Sequence, residues 1–158
     1  MFLINHRRRS ARWHGASQKV RQSAAPLFLD RIDLQIEITP LSFEEMSRTA
    51  PGETSAAIRE RVIKARKIQE ERFASEQGIH CNAQMNSRLM KQYAQPDEEG
   101  MILLREAMNR LQLSARAYDR ILRVSRTIAD LAGSDHILSE HISEAIGYRN
   151  LDRSNWGE

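Results

Sequence analysis

Between Ser114 and Gly133 the apolar positions Ala117, Ile121, Val124, Ile128 and Leu131 step by 4, 3, 4 and 3 residues, the spacing of one continuous helical stripe. Ser114 offers an N-cap hydroxyl and Gly133 can take the left-handed conformation that ends a helix, so both boundaries are signalled locally. Upstream, Thr54 or Ser55 caps a longer helix to about Ser75, with Ile58, Val62, Ala65 and Phe73 on one face, charges over the rest and Gly78 as its stop. A short helical stretch is expected from Ser87 to Tyr93. Pro96-Asp97 opens a helix to about Leu111 with Ile102, Leu103, Ala107 and Leu111 inward, and Ser139 caps a last one through about Tyr148, with Ile142, Ala145 and Ile146 apolar.

Ahead of these, Ser42 to Met46 reads as a short helix and Ala50-Pro51-Gly52-Glu53 as a turn. Leu34 to Ile38 alternates apolar and polar residues with period 2, the pattern of a short strand with one buried face, although no partner strand is apparent. The sum is a mainly α fold: a bundle of four or five helices preceded by one short strand.

Composition narrows the class. A chain of 158 residues has room for one domain and an appended tail. With 6% aromatic residues and 4 prolines it leans to helix, and its 41% apolar and 28% charged residues are those of a soluble, cytoplasmic protein. No apolar run approaches the ~20 residues needed to cross a bilayer, so no membrane partner is expected. Residues 1–25 show no sustained period and are expected to be disordered. They hold Arg7, Arg8, Arg9, Arg12, Lys19 and Arg21 before any acid, so of the formal +3 the remainder carries −3. Such an arm can meet nucleic-acid phosphates or simply be a solvated end. The single Cys81, beside His80, falls short of a zinc site, and no metal site is expected.

The catalytic motifs of common enzyme classes are absent: there is no GxxxxGK[ST] phosphate loop, no GxSxG and no HExxH. An autonomous enzyme is therefore not expected. Two arginine features stand out instead. Arg116, Arg120 and Arg123 share one helical face, where like charges repel unless acids such as Asp119, or an anion, compensate. In Leu29-Asp30-Arg31-Ile32-Asp33 an arginine sits between two aspartates, which by itself reads as a surface ion pair.

Four strings give these features a family. Leu29-Asp30-Arg31-Ile32-Asp33-Leu34, Cys81-Asn82-Ala83-Gln84-Met85, Leu113-Ser114-Ala115-Arg116-Ala117-Tyr118-Asp119-Arg120-Ile121-Leu122 and His141-Ile142-Ser143-Glu144-Ala145-Ile146-Gly147-Tyr148-Arg149 resemble the C-terminal part of the YifB/ComM family of magnesium-chelatase-like AAA+ ATPases. The resemblance covers about Leu29 to Trp156. It implies a basic segment over residues 1–25, a remnant of the AAA+ core with its strand over 26–40, and a helical lid domain over 41–158.

By the same resemblance Arg31 corresponds to the arginine finger that reaches a neighbour's ATP, and Arg116 to the sensor 2 arginine on the nucleotide phosphate. The intact assembly is expected to use ATP and magnesium in a hexameric ring of AAA+ subunits, with DNA as a further partner. This chain alone, without Walker A or B, is expected to bind neither and to be inactive. Where the family usually reads Ser-Gly-Pro-Leu-Leu-Asp-Arg, this chain has Ala24-Ala25-Pro26-Leu27-Phe28-Leu29-Asp30-Arg31, and its upstream residues look unrelated to an ATPase core, which suggests a truncation. The alternatives are a free-standing helical interaction module, a non-functional remnant and, ranked last, porphyrin metal insertion.

Overall fold

Helix starts in this protein are written in single side chains. In the computed structural model, which describes residues 32–149 apart from 37, 39, 41 and 49–51, Thr54, Asn86, Asp97 and Ser114 each accept a hydrogen bond from a backbone N–H three residues on. Those bonds open α2 (Ser55–Arg72), α3 (Ser87–Tyr93), α4 (Glu98–Leu111) and α5 (Ala115–Ala132). A six-residue α1 (Phe43–Arg48) precedes them, α6 (Ser139–Gly147) follows, and a 3₁₀ turn at Asn82–Gln84 links α2 to α3. Helices α2 to α6 are the five of the expected bundle.

Two of the stops are equally local: Gly133 ends α5 at φ +71° and Gln112 takes a left-handed φ of 50° to end α4. Gly78, the expected stop of α2, has φ +77° but lies six residues beyond its end. Helix α2 stops at Arg72, three residues short of the expected end, because Phe73 turns in to meet Tyr93 edge-to-face at 5.9 Å. Helix α6 corrects its expected cap. Ser139 is its first helical residue, and the orphan N–H of Leu138 donates to Nδ1 of the buried His141 at 3.0 Å, the reciprocal half of a capping box.

Helix α5 is the hub, packing on α6, α2, α3 and the 3₁₀ turn, while α4 lies against α6. Leu89, Leu104, Ile121, Leu122, Ala129, Ile137 and Ile142 form the inaccessible centre. A single parallel bridge between Pro96 and Ile137 ties the start of α4 to the start of α6. Close by, an added Cβ on Gly100 would meet Asp97 Oδ1 at 2.8 Å, Pro96 Cβ at 3.1 Å and Ile142 Cγ1 at 3.2 Å. A side chain at this position would crowd the cap of its own helix and press on α6.

Several inward assignments change. On α4, Leu104 and Gly100 are buried and Ile102 faces out, because four consecutive apolar residues, Met101 to Leu104, fit more than one phase. Leu131, the last position of the α5 stripe, is exposed, and so are Ile58 and Val62 on α2. No strand occurs among the described residues of 34–38. Leu34, Ile36 and Ile38 are exposed, and Gln35 is the buried one, its N–H donating to Tyr148 O at 2.9 Å. With no second strand among the described residues, a tether to the end of α6 stands where a ladder was expected.

Candidate functional site

Helix α5 carries arginines at 116, 120, 123 and 126, and the fold separates them. Arg116 lies in the first turn, exposed, just past the Ser114 cap and at the positive end of the helix dipole. Arg120, one turn on, is half-buried and forms an ion pair with Asp33. The acid that reaches this face is thus Asp33, drawn from the Leu-Asp-Arg-Ile-Asp string, rather than the neighbouring Asp119. Arg123 turns towards the bundle, where its Nη2 donates to Met85 O at 2.9 Å and its Nε is buried. Of the three-arginine face, Arg116 is the member displayed to solvent. Arg31 lies outside the described residues.

The fourth arginine belongs to an interior network that sequence reasoning missed. The Asp130 carboxylate, 2% exposed, accepts from Arg72 Nη2 at 2.5 Å and Nη1 at 2.8 Å, from Arg126 Nε at 3.1 Å, and from Asn82 Nδ2 at 2.7 Å. Asn82 accepts in turn from Arg72 Nη1 at 2.9 Å, donates its Nδ2 to Thr127 Oγ1 at 3.1 Å, and donates its backbone N–H to Gln69 Oε1 at 3.0 Å. Arg126 finishes its donor set on Ser134 O at 2.5 Å and Asp135 O at 2.8 Å. Burial pushes the Arg126 pKa below the ordinary arginine value, against the Asp130 charge that holds it up.

This network ties α2, the 3₁₀ turn and α5 together and gives every polar atom named in it a partner, as a low-dielectric interior demands. It explains one of the family strings, since Asn82 is the linchpin of Cys81-Asn82-Ala83-Gln84-Met85. Apart from the network, the string from His141 to Arg149 begins with the buried cap of α6 and ends on a fully buried arginine. The signal available in the sequence was the Arg126 and Asp130 pair at i, i+4, next to a series of solvent-like arginines. Elsewhere, a groove of about 270 Å³ between α4 and α6 is lined by Leu103, Ala107, Leu111 and Ile146 with Glu106, Arg110 and Ser143 at its rim.

Comparison with known proteins places this arrangement. Residues 52–149 match the family model described as magnesium chelatase, subunit ChlI C-terminal. The chain belongs to that family. It is 45% identical over 127 residues to the competence protein ComM of Haemophilus influenzae, covering 80% of this chain and 24% of the relative. It is 39% identical over the same length and shares to the YifB protein of Escherichia coli K12, and 36% identical to that of Salmonella typhimurium LT2. The chain therefore spans about a quarter of the length of the curated relatives it matches, and it corresponds to the C-terminal region of the YifB/ComM group. The family match takes in α2 through α6, including Arg116 and the whole Asp130 network, while Arg31 falls outside it. Among the described residues no helix is long and apolar enough to cross a membrane.

Proposed function

We propose that this chain supplies the helical lid of a magnesium-chelatase-like AAA+ ATPase, and that Arg116 is its contact with nucleotide phosphate. The observation that supports the reading is the exposed position of Arg116 in the first turn of α5, where helix dipole and guanidinium together favour an anion. A phosphate-bearing ligand fits such an end. ATP with magnesium would supply the phosphoryl group whose hydrolysis drives the assembly; this chain's share is to hold the phosphate charge and to move with it as one rigid lid.

In this reading the ATP-binding core resides in AAA+ subunits of a hexameric cytoplasmic ring. Arg31 acts as the finger towards a neighbour, and DNA is the substrate of the ring, in keeping with the competence role printed for the Haemophilus relative. Residues 26–40 are then the remnant of the core and 41–158 the lid. By itself the chain binds no nucleotide and is not an ATPase.

Two measurements test this. The purified chain, given ATP and magnesium with and without DNA, is expected to show no turnover; DNA-stimulated hydrolysis would overturn the division between core and lid. In a full-length relative, alanine at the position matching Arg116 is expected to abolish most ATPase activity with an unchanged melting midpoint. Full turnover in that variant would remove Arg116 from the nucleotide site.

A further inference from the structure

We propose that the open half of α2 is a docking surface for a second copy of this chain, seated on the outer face of α4. The buried face of α2, defined by Ala65, Gln69 and Phe73, continues towards its N-terminus through Val62 and Ile58, yet these are 40% and 42% exposed and the adjacent Ile63 is 47% exposed. The bundle covers only the last turns of an 18-residue helix. Around this uncovered apolar strip the charges are basic. Residues 55–67 hold Arg59, Arg61, Lys64, Arg66 and Lys67 against Glu60 alone. Glu53 holds Arg61 at 2.8 Å and Glu60 holds Lys64 at 3.0 Å, whereas Arg59, Arg66 and Lys67 form no ion pair among the described residues. The first turn of α2 contains no acid, contrary to what its dipole favours, so this concentration of positive charge does not stabilise the isolated helix.

The complement lies on the same chain. On α4, Ile102 is 50% exposed and has exposed Glu98, Glu99 and Glu106 at i−4, i−3 and i+4, with Arg105 as the opposing charge. Charge is segregated between these regions. The described residues hold 16 Lys and Arg against 17 Asp and Glu; residues 55–67 take five of the bases and one acid, leaving 11 against 16 elsewhere. An apolar centre with a rim of one sign, facing an apolar centre with a rim of the other, is the anatomy of a protein interface. A nucleic-acid backbone would satisfy Arg59 and Arg66 but leave Ile58 and Val62 in water, and this decides for protein. Because the two patches differ, the contact is head-to-tail and propagates from copy to copy. It stands apart from the nucleotide reading of Arg116, and either can fail alone.

Sedimentation velocity of the full chain tests it. The weight-average coefficient is expected to rise with concentration into the high micromolar range at low salt and to fall back in ~1 M salt, where the screening length shrinks to ~3 Å. Arg59→Glu with Arg66→Glu, and separately Glu98→Lys with Glu106→Lys, should each abolish that rise, and an equimolar mixture of the two variants should restore it. Ile102→Ser, without altering charge, should weaken it several-fold. A wild-type chain monomeric throughout, variants that still associate, or a mixture that stays monomeric would each overturn the proposal. So would a monomer that binds duplex DNA through Arg59 and Arg66, which would assign the surface to a polyanion.

Discussion

The two ends of α5 make opposite use of the same residue. At its C-terminal end Arg126 is buried, its guanidinium shared between a carboxylate and two carbonyls, and together with Arg72 it encloses Asp130. At its N-terminal end Arg116 stands in solvent and Arg120 meets the exposed Asp33. Residue type and spacing are alike, and burial makes the difference. An interior arginine must have acceptors for its charge or the fold loses several kcal/mol, whereas a surface arginine keeps its charge in contact with water and needs none for stability.

That contrast can be broken at its strongest point by Asp130→Ala. Removing the acid leaves two guanidiniums buried together, and a loss of ~3 to 5 kcal/mol is expected in denaturant unfolding. A loss under ~1 kcal/mol would mean that water already enters the network, and the two ends would then differ little. Next in size is Gly133→Ala, at φ +71° with open space around the added methyl group, so that the cost is backbone conformation alone, ~1 kcal/mol. A thermal melt identical to wild type would show that the end of α5 relaxes freely. Smallest is Arg120→Ala: its partner is more than half exposed, and a change below ~1 kcal/mol, fading further in high salt, is expected. A cost comparable to that of Asp130→Ala would move Arg120 to the structural side of the comparison.

How much of this was readable beforehand follows the range of the interactions. The start of α2, narrowed to Thr54 or Ser55, with Ser114, Gly133 and the span Ser87–Tyr93, was legible because a cap or a left-handed stop acts within three or four residues of itself. His141 as the cap of α6 was hidden because a ring nitrogen performs a task usually given to a carboxylate or amide, and Ser139 offered an easier answer. The facing of α4 was hidden in Met101-Ile102-Leu103-Leu104, which is apolar in every direction; the burial of Gly100 and Leu104 sets the phase. Apart from the bonds of Arg126, at 4 to 9 positions, the Asp130 network joins residues 10 to 58 positions apart in sequence, and no local pattern carries such a distance. Arg116 as the displayed arginine could be named from the family strings but not from spacing, since Arg123 and Arg126 continue the same series.

The turn after α5 is densely hydrogen-bonded. Gly133 N–H donates to Asp130 O at 3.2 Å, Ser134 N–H to Ala129 O at 2.8 Å, Ser134 Oγ to His136 O at 2.7 Å, and Arg126 grips the carbonyls of Ser134 and Asp135 from beneath. A connection fastened at so many points is a weld rather than a hinge. Helices α5 and α6 form a stiff bracket, and α5, about 27 Å long at ~1.5 Å per residue, is its longer arm. If Arg116 meets the nucleotide as proposed, a small tilt imposed there would pass to the far end with little slack in the joint. The amides of Gly133 and Ser134 should accordingly exchange with solvent only when the whole bracket comes apart.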